Sequence, residues 1–128
     1  GALRDERVLT PLLTVLRAAD LDIDIRRSVL VSLGQQRVTS AVPELLAMIR
    51  EAPADILPDI LRTLGQIGDE RAIGRLIDTL RSDDEAVVSA ANSALAVITG
   101  QRFDPDPAIW NAWLVERDAP PESFRTTP

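Results

Sequence analysis

The chain has 128 residues, 45% of them hydrophobic and 27% charged, the profile of one soluble globular domain able to close a core without disulfide or metal staples. It contains no Lys, His, Cys or Tyr, which excludes thiolate nucleophiles, disulfides, sulfur metal sites, Schiff bases and imidazole as base or ligand. Its 14 cations are all Arg against 20 Asp and Glu, and the net charge of −6 argues against electrostatic capture of nucleic acid or anionic lipid.

In chain order, the sequence opens on Gly1-Ala2-Leu3 with no initiator Met, which reads as a segment excised from a longer protein. No signal peptide is visible, and no apolar run reaches the roughly 20 residues of a membrane helix. The compartment is therefore left open between the cytoplasm and, where an export signal was removed, the periplasm or exterior. Leu9, Leu12, Leu13 and Leu16 share one stripe and predict a first helix. The loop Asp20-Leu21-Asp22-Ile23-Asp24 follows. It lacks the central Gly and terminal Glu of a calcium-binding loop, so its carboxylates are expected to cap a helix, Asp20 or Asp22 being placed for that.

The next segment, Ile25 to Gly34, begins a pattern that recurs. Shifted by 31 residues it lies on Ile56 to Gly65, and shifted again on Val87 to Ala96. Three columns are apolar throughout: Ile25/Ile56/Val87, Val29/Ile60/Ala91 and Leu33/Leu64/Leu95. Their four-residue spacing is one helical stripe. A second segment, Ala41 to Arg50, maps on Ala72 to Arg81 with the same shift, and the first copy matches at a shift of 33. Each unit is thus an outer helix followed by an inner one, repeated three times. Asp69 is placed to cap the third outer helix, and Ser82-Asp83-Asp84-Glu85 has the form of a capping box before the third inner helix. Gly34, Gly65 and Gly68 mark expected helix stops. Pro58 falls at a position that is helix interior in the other copies, so that helix starts later or kinks there.

The run Leu64-Gly-Gln-Ile-Gly-Asp-Glu-Arg-Ala-Ile-Gly-Arg-Leu-Ile-Asp-Thr-Leu80 resembles the repeat of HEAT-type α-solenoids. More narrowly, it is similar to the short, bacterial HEAT-like repeats of the phycobilisome-lyase type. Ile25-Arg26-Arg27 matches that family's inner-helix opening, whereas the later copies, with Leu57-Pro58 and Val88-Ser89, lack the Arg. The resemblance covers about residues 5–100. It implies an all-α fold, a right-handed α-solenoid of about three two-helix repeats at 5–36, 37–67 and 68–100 within a domain of residues 1–118.

Beyond the third repeat, Thr99-Gly-Gln-Arg-Phe103 leads into Trp110-Asn-Ala-Trp113 on a helix expected over 107–117, with Asp104 and Asp106 as turn and N-cap residues. This stretch resembles the terminal segment of bacterial HEAT-repeat proteins. Phe103, Trp110 and Trp113 are expected to seal the open end of the stack, in preference to forming a stacking platform for a ligand. Residues 119–128 are Pro-rich and aperiodic and are expected to be a disordered tail.

HEAT-like solenoids generally offer partners their concave face, lined by inner helices. Its solvent-facing positions should include Arg27, Ser28, Val31 and Gln35, then Asp59, Arg62 and Gln66, then Ser89, Ser93 and Val97. Of these, Arg27, Val31, Asp59, Arg62, Gln66, Ser89 and Ser93 form the expected binding row, the two Arg serving as anchors for carboxylates. No catalytic residue, metal ligand or cofactor site is assigned. Asp55, Asp59 and Glu85 lie on or near inner helices but have no aromatic subsite beside them for glycosidase-like chemistry. The expected function is a non-catalytic protein-interaction or scaffolding module that acts as a monomer and binds a peptide or protein, with no nucleic acid and no direct membrane contact. The alternatives are a regulatory or presenting domain of a larger enzyme or exported lipoprotein, and an enzyme like the HEAT-like DNA glycosylases, whose Trp and Asp are present but whose basic face is not. The His-dependent hydroxylases built on this repeat are excluded by composition.

Overall fold

A computed structural model describes residues 22–118, all of whose regular elements are helical. The expected first outer helix and the Pro-rich tail lie outside the described residues. Six α-helices follow in order: α1 Ile23–Gln35, α2 Val42–Met48, α3 Leu57–Ile67, α4 Ile73–Thr79, α5 Glu85–Thr99 and α6 Pro107–Asp118. Short 3-10 turns, Thr39–Ala41 and Glu70–Ala72, lead into α2 and α4. The 31-residue shift holds to the residue for both turns and both outer helices. Among the described residues no helix is long and apolar enough to cross a membrane.

The inner helices α1, α3 and α5 stack in one layer, α3 packing against both others. The outer helix α4 backs α5, and α6 closes against α4. Leu33, Leu64 and Leu95 are completely buried, as are Ile60 and Ala91. The first column departs from expectation: Ile56 and Val87 are buried, but Ile25 is half exposed and Arg26 turns inward instead. On α1 the buried stripe runs Arg26, Leu30, Leu33, Gly34, whereas on α5 it runs Val87, Ala90, Ala91, Ala94, Leu95. Among the described inner helices α3 alone has an inner neighbour on each side, and it buries both adjacent positions, Ile60 and Leu61.

The helix ends correct several expectations. Gly34 and Gly65 lie within α1 and α3 and stop neither. The left-handed positions are Arg37 (φ 49°) and, one repeat later, Gly68 (φ 76°), followed by Gly100 (φ 74°) after α5. At the end of α1 the Val38 amide donates to the Leu33 carbonyl and the Arg37 amide to Gly34, the Schellman pattern, which packs Val38 into the core. Gly34 and Gly65 serve close approach: a methyl on Gly65 would sit 2.9 Å from the Ala94 Cα, and one on Gly34 would meet the Gln66 amide. Of the two outcomes expected at Pro58, the later start is the one observed: α3 begins at Leu57, three residues past the position equivalent to Ile23 and Glu85, and Pro occupies its first turn, where its missing N–H costs nothing.

Caps are acidic. The Asp22 carboxylate accepts the Asp24 amide at 2.7 Å and starts α1. The capping box before α5 does not form as expected: Asp84 is the cap, accepting the Ala86 amide at 2.9 Å, and Glu85 is the first helical residue. Ser82 instead accepts the Asp84 amide at 3.1 Å. Asp69 accepts the Arg71 amide at 2.9 Å and also holds the Arg71 side chain. From that position Arg71 Nη2 donates to the Thr39 carbonyl at 3.0 Å, tying the third repeat to the second.

Candidate peptide-binding surface

Residues one repeat apart fall side by side on the stacked inner helices. Reading across the layer gives the rows Arg27/Pro58/Ser89, Ser28/Asp59/Ala90, Val31/Arg62/Ser93 and Gln35/Gln66/Val97. Arg27, Val31, Arg62, Gln66, Ser89 and Ser93 are exposed and Asp59 is half-buried, so the structure places all seven row residues on the solvent side of α1, α3 and α5. Val31 is 49% and Val97 67% exposed, leaving two aliphatic side chains open among polar ones. Buried Thr63 helps to fix the spacing underneath. Its hydroxyl lies 2.9 Å from the Asp59 carbonyl and 3.2 Å from the Leu30 carbonyl, linking α3 to α1.

The two Arg are not independent. Asp59 accepts Arg27 Nε at 2.9 Å through Oδ2 and Arg62 Nη2 through Oδ1. Arg27 Nη2 also donates to the Asp55 carbonyl at 3.0 Å, so Arg27 is held by two partners and Arg62 by one. The triad carries one net positive charge. With the Arg27 side chain 44% and the Arg62 side chain 62% exposed, each pair contributes about 0.2–1 kcal/mol. An arriving carboxylate can therefore displace Asp59 from Arg62 at small cost. Sequence reasoning named all three residues and missed the bridge. The signal was their register, since Arg27 precedes Asp59 by one repeat and one residue, which sets them in adjacent rows.

At the far end of the layer Trp110 is completely buried. Its indole Nε1 donates to Asn92 Oδ1 at 2.8 Å, and Asn92 Nδ2 donates to the Phe103 carbonyl at 3.0 Å. Phe103 meets Trp110 edge-on with centroids 4.8 Å apart, and Trp113 meets both rings edge-on at 6.4 and 6.1 Å. The Arg117 guanidinium sits 5.1 Å from the Trp113 ring centre. Asp106 accepts the Ala108 amide at 2.8 Å and starts α6, and the Asp106 amide donates to the Asp104 carbonyl at 2.7 Å. Asn92 occupies the position of Leu30 and Leu61 in the earlier copies, a polar break in the repeat that marks where the indole docks.

No curated protein and no solved structure matches the chain. A family model described as HEAT repeats matches residues 1–96, three-quarters of the sequence, and spans the stacked inner helices and their outer partners. With a 31-residue helical repeat in both sequence and structure, the chain belongs to the HEAT-repeat family.

Proposed function

We propose that this domain is a protein-interaction module without chemistry of its own, which binds a peptide or protein segment along the exposed face of α1, α3 and α5. HEAT repeats generally mediate protein–protein interaction. The observation that carries the reading is the Arg27–Asp59–Arg62 bridge, which sets two guanidiniums beside open Val31 and small Ser89 and Ser93. Asp59 there stands in for the carboxylate of a partner, and an acidic residue followed by small or aliphatic ones is the complementary sequence. The glycosylase alternative finds little support in the aromatic residues, because Trp110 lies in the core and half-buried Trp113 packs against Phe103, Trp110 and Arg117. A peptide array read with the wild-type chain and with Arg27→Glu/Arg62→Glu tests the proposal. Acidic peptides should be retained by the first and lost by the second. An array with no bound peptide, or one read identically by both proteins, contradicts it.

A further inference from the structure

Away from the inner-helix row, at the edge where outer helices hand over to inner ones, an open groove of about 370 Å³ lies between the second and third repeats. Ile49, Leu57 and Val87 supply its apolar lining, and Arg50, Arg75 and Asp78 its charge. None of the seven row residues lines it. The volume is at the small end of ligand pockets and admits one or two aliphatic side chains.

Among the described residues both arginines of the groove are free of carboxylates. Arg27, Arg62, Arg71 and Arg117 each hold a carboxylate, whereas Arg50 and Arg75, like Arg26, Arg37, Arg81 and Arg102, have no ion-pair partner among the described residues. In a chain with a net charge of −6 they set two unpaired guanidiniums over an apolar floor. Thr79 and Ser82 on the rim are engaged within the chain. The Thr79 hydroxyl donates to the Arg75 carbonyl at 2.8 Å, Ser82 accepts the Asp84 amide, and Asp84 caps the first turn of α5. The two guanidiniums are the charged donors that the groove presents to a ligand.

We propose that this groove docks an internal acidic segment of a partner protein. An aliphatic side chain fills the space over Leu57 and Val87, and flanking Asp or Glu side chains take Arg50 and Arg75. Asp78 disfavours a third carboxylate and so restricts which neighbours the segment carries. The site is separate from the inner-helix row and does not depend on it.

The test is an amide NMR titration of the full chain with the end-blocked peptide acetyl-Gly-Glu-Leu-Asp-Gly-amide. The account expects saturable shifts at Ile49, Arg75 and Val87. Arg50→Glu/Arg75→Glu should weaken the binding read at these three residues at least tenfold, Arg50→Gln/Arg75→Gln should weaken it less, and Arg102→Glu, at an exposed position outside both sites, should leave it unchanged. Circular dichroism of each variant shows whether the fold is kept. Absence of saturable shifts at millimolar peptide would overturn the proposal. So would shifts confined to the inner-helix row and lost in Arg62→Glu, or equal binding of a neutral peptide with a free C-terminal carboxylate.

Discussion

Asp69 accepts the Arg71 amide while its carboxylate holds the guanidinium that reaches back to Thr39, so one side chain caps a turn and joins two repeats. The Arg71 side chain first, and its amide second, hold the Asp69 carboxyl below its ordinary value of 3.8. Because the folded value is depressed, the stabilisation is complete above the ordinary value and is lost as pH falls through the folded one. Asn at position 69 keeps a capping oxygen and loses the charge. The melting temperature of Asp69→Asn should therefore lie below wild type by a constant margin from neutral pH to about 5, and the margin should close below about 4. A margin independent of pH down to 2 would show that the charge contributes nothing. Glycine packing makes a second residue-scale prediction. Gly65→Ala drives a methyl into the Ala94 backbone and should cost about 1–3 kcal/mol in denaturant unfolding. At Gly34 the obstacle is mainly the mobile end of Gln66, and the gain in helix propensity offsets its displacement, so Gly34→Ala should fall within about 1 kcal/mol of wild type.

At the scale of the element, α5 is the longest helix described, and its start separates two ways of capping. Asp84→Ala removes the observed acceptor of the Ala86 amide and should cost about 0.5–2 kcal/mol by thermal unfolding. Glu85→Ala at the first helical position should cost less, about 0.3–1 kcal/mol. The reverse ranking would restore the Ser82/Glu85 capping box. Helix existence and the 31-residue register were legible because every inner helix needs the same Leu33/Leu64/Leu95 seam, a demand that repeats with the unit. The ends were less so. Gly34 and Gly65 resemble stops by residue type, yet they serve inter-helix approach, which depends on a neighbour distant in sequence. Arg37 holds a left-handed position that side-chain type does not announce. Ile25 matches the core column by residue type, but it would be buried only if every inner helix turned the same face inward. On α1 the stripe runs through Arg26 instead.

Across the whole molecule, the stack turns a one-dimensional repeat into a two-dimensional surface on which residues far apart in sequence become neighbours. The exposed rows were legible because their positions are what remains once the seams are assigned. The Arg27–Asp59–Arg62 bridge was not, because it joins adjacent rows and depends on side-chain reach. The bridge also gives the binding reading its most direct measurement, an equilibrium titration of the tightest acidic array peptide against wild type, Arg62→Glu and Asp59→Asn. If Asp59 competes internally with a partner's carboxylate, its neutralisation should tighten binding by about two- to fivefold at a stability cost of no more than about 1 kcal/mol. Arg62→Glu should weaken binding at least tenfold, in keeping with about 1.4 kcal/mol or more. Unchanged affinity in both variants, or weaker binding in Asp59→Asn, would contradict the account.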